Sequence, residues 1–379
     1  MVKIIFLNQM AGPMFLEMTE DISDAIADCV LFTRYDCLNN KLSSANLIIK
    51  KAPCYNRRSV HNRLISWLHY FLKALFLTFS YNNKPVLFIV SNPPFLGLIG
   101  YINNLIRKQK YIMLVYDIYP DILYALGKYK RPFVLNLWNK LNELVYSRAS
   151  TVITIGYDMA EKLNKFKTNQ LEVIRCWADT DIIFPREKSD NVLVKKYGLS
   201  GKKILLYSGN MGFSHNIELL IEAAKLINRD DIHFLFIGDG AKRNAVENLA
   251  MSNKKHVTLL PFQPEHMLPY IMSAGDIGFV AYQAGTEGCM VPSKAYYYLA
   301  GGLCLFVIGK KPNELAETVE KYECGRSIRS ENVSDLVDNI YQVIDNSHLL
   351  DTYKQNARQA SVNFFSRKNT AQFLPFLKF

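Results

Sequence analysis

Ile277-Gly-Phe-Val-Ala-Tyr-Gln-Ala-Gly-Thr-Glu-Gly-Cys-Met-Val-Pro-Ser-Lys-Ala-Tyr-Tyr-Tyr-Leu-Ala-Gly-Gly-Leu-Cys-Leu-Phe-Val-Ile308 decides how the chain folds. Residues 277–281 and 304–308 are apolar runs of strand length, and 293–300 is an apolar stretch of helix length. Strand, helix and strand in that order read as one unit of a parallel sheet. The connection opens on an acid, Glu287, between Gly285 and Gly288, and runs through Pro292 to Lys294 at the helix start. Such a junction aims backbone N–H groups at the carboxyl edge of the sheet, a place to grip an anionic ligand.

Working outward, the same alternation fills the second half. Strands are predicted at 204–208, 233–237, 257–260 and 326–328, with helices at 216–228, 241–251, 266–273, 313–321 and 333–345. The first half predicts strands at 3–8, 29–32, 47–50, 86–90, 111–116, 151–155 and 172–174. The fold class is therefore α/β, with two doubly wound domains whose ligands gather at the carboxyl ends of the strands. Its 379 residues, 49% of them hydrophobic, supply two cores. The polar stretch around Pro185 marks the junction, which gives domains at 1–178 and 201–350, a linker at 179–200 and a helical tail at 351–379 with no strand to feed.

Seven scattered cysteines without a CxxC pair fit reduced thiols rather than a disulfide frame or zinc site. The N-terminal apolar run is too short for a secretory signal and reads as a first strand, which points to a cytoplasmic protein. The net charge of +11 has a local origin. Between Cys37 and Tyr116 there is no Asp or Glu, while Lys41, Lys50, Lys51, Arg57, Arg58, Arg63, Lys73, Lys84, Arg107, Lys108 and Lys110 account for the whole excess. That region implies an anionic partner or a solvated basic surface. Within it, residues 64–80 (LISWLHYFLKALFLTFS) form an apolar helix behind a basic collar of Arg57, Arg58, His61 and Arg63. Either this helix is buried against the first sheet, or the segment 57–80 lies on an anionic membrane surface.

Several loops carry chemistry. Asn8-Gln-Met-Ala-Gly12 follows the first strand and lets backbone approach a phosphate, though without GxGxxG spacing. Asp117 and Asp121, in Tyr116-Asp-Ile-Tyr-Pro-Asp121, either orient hydroxyls and act as a base or cap the helix behind them. Gly209-Asn210-Met-Gly212 opens the second domain where a glycine turn meets a diphosphate, and Gly238-Asp239-Gly240 accompanies it. Lys242 and Arg243 then stand at a helix N-terminus, where an anion would offset their conflict with the helix dipole.

With these residues assembled, the chain resembles the family-4 retaining glycosyltransferases of the GT-B fold, in particular the bacterial surface-polysaccharide (capsule and O-antigen) branch. The matching stretches are YDIYPDILYALG (116–127), TVITIGYDMAEKL (151–163), VIRCWAD (173–179), LLYSGNMGFSHNIELLIEAAK (205–225), FLFIGDG (234–240), AGDIGFVAY (274–282) and VPSKAYYYLAGG (291–302). The resemblance implies two Rossmann-like domains facing a central cleft, the first for a glycan or polyprenyl-diphosphate-linked acceptor and the second for a nucleotide-diphosphate sugar. It further implies a final helix that crosses back to the first domain. By position, Glu287 resembles the acid that binds the donor hexose, helped by the N–H groups of Gly288 and Cys289. Gly12 resembles the glycine facing the donor phosphate, and Phe262 the residue whose backbone meets the base. The donor-binding set is thus Gly12, Gly209, Asn210, Gly212, His215, Gly238, Asp239, Gly240, Arg243, Phe262, Glu287, Gly288, Cys289, Met290, Val291, Lys294 and Tyr297. Glu287, Asp117 and Asp121 are the catalytic candidates, and neither cofactor nor metal is expected.

Three positions depart from the family pattern. The family's second glutamate falls on Tyr297, its arginine on Phe213, and its following lysine near His215 and Asn216. Lys294 is then the first candidate for neutralising the diphosphate, with Arg243 or His215 behind it. The implied reaction is hexosyl transfer with retention, at the inner face of the plasma membrane, and replacing Glu287 by Ala is expected to cut turnover with the fold intact. A GT-B epimerase or hydrolase is the alternative, and no nucleic-acid-binding module is present to use the basic region.

Overall fold

The structure is a computed structural model that describes residues 1–34, 44–56, 59–128 and 131–377. Arg57, Arg58, Cys37 and Lys41 of the basic stretch lie outside these residues. The chain divides into two compact units: Met1–Tyr124 with Tyr129–Arg175 and Arg367–Phe379, and Ala125–Lys128 with Cys176–Ser366.

Unit 1 holds seven parallel strands, Ile4–Leu7 (β1), Cys29–Thr33 (β2), Leu47–Lys51 (β3), Val86–Val90 (β4), Tyr111–Val115 (β5), Thr151–Thr154 (β6) and Leu171–Val173 (β7), in the order β3-β2-β1-β4-β5-β6-β7. Unit 2 holds six, Lys203–Ser208 (β8), Ile232–Ile237 (β9), Val257–Leu260 (β10), Ile277–Ala281 (β11), Cys304–Ile308 (β12) and Gly325–Ile328 (β13), in the order β10-β9-β8-β11-β12-β13. Every strand end lies within one residue of the sequence prediction. The reason is physical: β1, β2, β4, β5, β9, β11 and β12 are buried along their whole length. Strands covered by helices on both faces read as unbroken apolar runs. Strand order reverses between β8 and β11, so a crevice at the carboxyl edge of unit 2 is expected where their loops diverge.

Residues 179–200 are not a free linker. Asn191 is buried, caps helix Val192–Lys196 through Leu193 N and Val194 N, and donates to Tyr270 O at 2.7 Å and Ser273 Oγ at 3.0 Å. Lys188 is ion-paired with the buried Asp276 at the start of β11. These bonds bind the stretch into unit 2, so the boundary falls at Arg175 and Cys176.

The expected crossing helix is also revised. Ser347–Phe364 packs on helix Lys294–Ala300 and on β12 as part of unit 2, where Arg358 donates to Thr180 O, Ile183 O and Ala300 O. Only the 3-10 segment Arg367–Leu377 joins unit 1, against helix Pro13–Ile26. There Arg367 bonds Asp21 at 2.6 Å and Glu20 at 2.9 Å, and Phe373 meets Phe88 edge-on.

The apolar helix is covered along one stripe only. Val60–Phe79 buries a narrow stripe of Ser66, Tyr70, Ala74 and Thr78, spaced four apart. Leu64, Ile65, Leu68, Leu72 and Phe76 face outward, Phe76 with 77% of its surface exposed. The inner stripe is one residue wide, Tyr70 its only large member, so the remaining large apolar side chains stay uncovered. Among the described residues no helix is long and apolar enough to cross a membrane.

Candidate functional site

The site in unit 2 starts from two interlocked glycine turns. After β8 the chain passes through Gly209, Asn210, Met211 and Gly212; after β9 it passes through Gly238, Asp239 and Gly240. Gly209 N donates to Ile237 O and Met211 N to Asp239 O, both at 2.8 Å. The turns approach so closely that a Cβ on Gly238 would lie 1.9 Å from the Gly209 carbonyl oxygen, and one on Gly240 would lie 2.6 Å from that of Met211. Both adopt φ values, 141° and 150°, that favour glycine. The Asn210 side chain lies across Gly212 and Gly240 and holds the two turns in register.

Beneath Gly209 sits Lys294, the first residue of helix Lys294–Ala300. Its Nζ would be 3.5 Å from a Cβ at Gly209 and is 3.8 Å from the centre of the Tyr207 ring. The ammonium nitrogen is buried and has no hydrogen-bond partner. Burial draws the Lys294 pKa from 10.5 down to about 7. His215 shares the cluster: its ring stands edge-on to Tyr207 at 6.3 Å, and its Nδ1 is likewise buried without a partner. Burial first, and then the charge of Lys294, hold His215 well below the usual imidazole range. The buried Lys294 ammonium beside the glycine turns has no acceptor, and orphaned buried polar groups are rare.

Glu287 is buried and already engaged. Its Oε2 accepts from Gly285 N at 2.7 Å, and its Oε1 accepts from Lys310 N at 2.9 Å and Lys311 N at 3.4 Å. The carboxylate therefore ties the loop after β11 to the loop after β12. Cys289 N donates to Thr286 O at 3.0 Å, so that N–H is not available to a sugar as expected. Gly288 adopts φ 71° to turn the loop, and Cys289, Met290 and Val291 are buried beside it. Phe262, after β10, has 55% of its surface exposed, and Tyr297 is half-buried.

The other two cations are committed elsewhere. Lys242 bonds His215 O at 2.6 Å, Glu218 at 2.7 Å and Gln283 at 3.2 Å, and Arg243 bonds Gly238 O at 2.6 Å. Each stabilises the turns internally rather than presenting an open charge. Asp239 is exposed and accepts from Gly240 N. Phe213 is half-exposed, with Lys128 Nζ 3.0 Å from its ring centre.

Tyr298 was not foreseen as part of the site. From the helix it reaches back to the end of β8, where its hydroxyl accepts from Ser208 N at 2.7 Å and donates to Ser208 O at 3.3 Å. Gly278 makes this possible, since a Cβ there would lie 2.6 Å from the Tyr298 ring. The available signal was spacing: Tyr298 is four residues after Lys294, on the same helix face. Tyr298→Phe is expected to cost about 1–3 kcal/mol by leaving Ser208 N–H unsatisfied. Denaturant unfolding checks this, and unchanged stability would remove the role.

Three candidates lie in unit 1. Gly12 caps helix Pro13–Ile26 at φ −87°, with open space where a Cβ would go, so neither backbone nor packing demands glycine there. Asp121 begins helix Asp121–Ala125 and is ion-paired with Lys165 at 2.6 Å. Asp117 differs: Ser91 Oγ accepts its backbone N–H, yet its carboxylate has no hydrogen-bond partner among the described residues, and burial lifts its pKa to about 6.

Two Rossmann-like units with parallel sheets are the architecture of the GT-B fold. Residues 190–360 match the family described as "Glycosyl transferases group 1". The probable glycosyltransferase WbjE of Pseudomonas aeruginosa is 28% identical over 281 residues, 71% of this chain and 69% of its own. The putative colanic acid biosynthesis glycosyl transferase WcaI of Escherichia coli is 28% identical over 170 residues, 44% of this chain and 41% of its own. The crystal structure of Anabaena Alr3699/HepE in complex with UDP-glucose superimposes with a TM-score of 0.73 at 16% identity, covering 100% of this chain and 99% of that one.

Proposed function

We propose that this protein transfers a hexosyl or N-acetylhexosaminyl residue from a nucleotide-diphosphate sugar to a lipid-linked glycan acceptor, with retention of configuration, in surface-polysaccharide synthesis. The observation that carries the donor half is the partnerless, buried Lys294 ammonium behind the interlocked glycine turns. A diphosphate would supply the oxygens that Lys294 lacks. As the bond to the anomeric carbon breaks, negative charge builds on the departing diphosphate, and a preorganised ammonium in a dry site stabilises it. Positive charge from the chain itself makes a metal unnecessary in this reading. Glycosyl transfer finds support in the group 1 match, and polysaccharide synthesis in the name of the WcaI relative. A thermal-shift screen of nucleoside diphosphates and their sugars tests the donor, because saturation to ~100 Kd adds ~2.7 kcal/mol of stability. No shift with any of them would sink the reading.

The acceptor half rests on the outward face of Val60–Phe79. Five large apolar side chains in a line, with Arg63 and Lys73 on the same helix, suit an anionic lipid surface at the inner face of the membrane. Leu68→Asp with Phe76→Asp is expected to weaken co-sedimentation with phosphatidylserine-containing vesicles at least tenfold, that is by ~1.4 kcal/mol. Equal sedimentation of the variant would remove the membrane from the proposal.

A further inference from the structure

We propose that the pocket at the carboxyl ends of β4 and β5 in unit 1 is a pyranose subsite for the acceptor, in which a sugar ring lies on an aromatic rim and sends one hydroxyl inward to Asp117. The inference rests on the transferase reading above.

The pocket is walled by Ser91, Phe95, Asp117, Tyr119, Trp138 and Asn142, among others. About 400 Å³ of empty space, part of it open to solvent, lies among these residues. Part of the lining is aromatic. Phe95 and Trp138 have ring centres 4.4 Å apart, and Tyr119 stacks on Trp138 at 5.9 Å and 7°. The electron-rich faces of such rings complement the weakly positive C–H faces of a pyranose. Phe95 is held at φ 69° with 40% of its surface exposed. Non-glycine residues held in that region cluster at ligand clamps.

Inside the pocket the polar groups differ in availability. Asn142 Nδ2 donates to Tyr119 O at 2.6 Å, and Ser91 Oγ accepts from Tyr116 N at 3.0 Å and Asp117 N at 3.3 Å. The Asp117 carboxylate accepts from nothing among the described residues. An ionised carboxylate is acceptor-only, so its complement is a donor such as a sugar hydroxyl, and a phosphate is repelled. Asp121, already paired with Lys165, offers no such acceptor.

The test uses the full chain, free of nucleotide, labelled with 5-fluorotryptophan at its three tryptophans, Trp67, Trp138 and Trp177. Trp138→Phe assigns the pocket resonance, and a panel of methyl pyranosides (gluco, galacto, manno, rhamno and N-acetylglucosamino) is titrated in. At least one is expected to move the Trp138 resonance saturably while Trp177 stays in place. Asp117→Asn should weaken that binding at least tenfold with Trp67 and Trp177 unchanged; should those two report unfolding, Asp117→Ala takes its place. The proposal is overturned if no pyranoside moves Trp138, if binding survives loss of the carboxylate, or if octanol alone reproduces the shift. Donor binding is read separately by thermal shift with UDP, so failure of the subsite and failure of the donor reading are distinguishable.

Discussion

Lys294→Met should lose about 100- to 1000-fold in affinity for UDP or its sugars, ~2.7–4.1 kcal/mol, while melting at a higher temperature than the parent. The two effects share one cause. In the free protein the ammonium is buried beside Tyr207 without an acceptor, a cost that cation–π contact only partly offsets. The fall in pKa from 10.5 to about 7 measures that cost. At ~1.4 kcal/mol per unit it sets a ceiling near ~5 kcal/mol, and local relaxation brings the expected gain to about 1–3 kcal/mol. Methionine fills the same volume without charge. In the complex the balance inverts, because the diphosphate supplies the missing acceptors.

The sign with pH follows. The folded pKa lies below the unfolded one, so between pH 7 and 10.5 the unfolded chain holds the extra proton and stability rises with pH; below pH 7 both states are protonated and the penalty is fully present. Donor binding runs the other way. It should be level below about pH 7 and fall above it, by at most tenfold per unit, because the ligand must bring a proton to Lys294. His215 titrates far lower, so it does not obscure that window. An unchanged UDP shift in the methionine variant would end the assignment of Lys294 as the diphosphate partner.

Glu287→Ala should lower the melting temperature on the order of 10 °C as well as abolish turnover. The side chain was expected to hold a sugar and to be removable with the fold intact. Its buried oxygens instead accept three backbone N–H groups, those of Gly285, Lys310 and Lys311. Leaving such donors unsatisfied costs about 1–3 kcal/mol for each fully buried one, and we expect about 3–5 kcal/mol in total. Glu287→Gln keeps an acceptor for Lys310 and Lys311 but turns its amide N–H₂ toward Gly285 N–H, so it should cost about 1–2 kcal/mol. Differential scanning calorimetry beside an activity assay separates the roles. Full stability in the alanine variant with activity lost would return Glu287 to a purely ligand-binding part.

The strands and glycine turns were legible for a local reason. A strand covered on both faces must be apolar throughout, and a backbone that approaches another within contact distance must lack a Cβ, so each leaves its mark within a few residues. The junction, and the point at which the tail returns to unit 1, were not legible, for the opposite reason. Residues 179–200 look like a polar linker until Asn191 and Lys188 meet Tyr270, Ser273 and Asp276, and the helix Ser347–Phe364 does not show that it stays on unit 2 until Arg358 finds three carbonyls. The covered side of Val60–Phe79 was ambiguous because an apolar helix carries no sign of which side is covered; the buried stripe at 66, 70, 74 and 78 shows only against its neighbours.

By itself the sequence determined two parallel sheets, the order of their elements and the loops that meet at their carboxyl edges, since periodicity and turn chemistry act over short distances along the chain. Tertiary structure alone decided which charges remain open. Lys242, Arg243, Asp121 and Glu287 find partners within the protein, while Lys294 and Asp117 find none among the described residues. Counter-charge and burial depend on what distant segments bring alongside, and no local pattern records that.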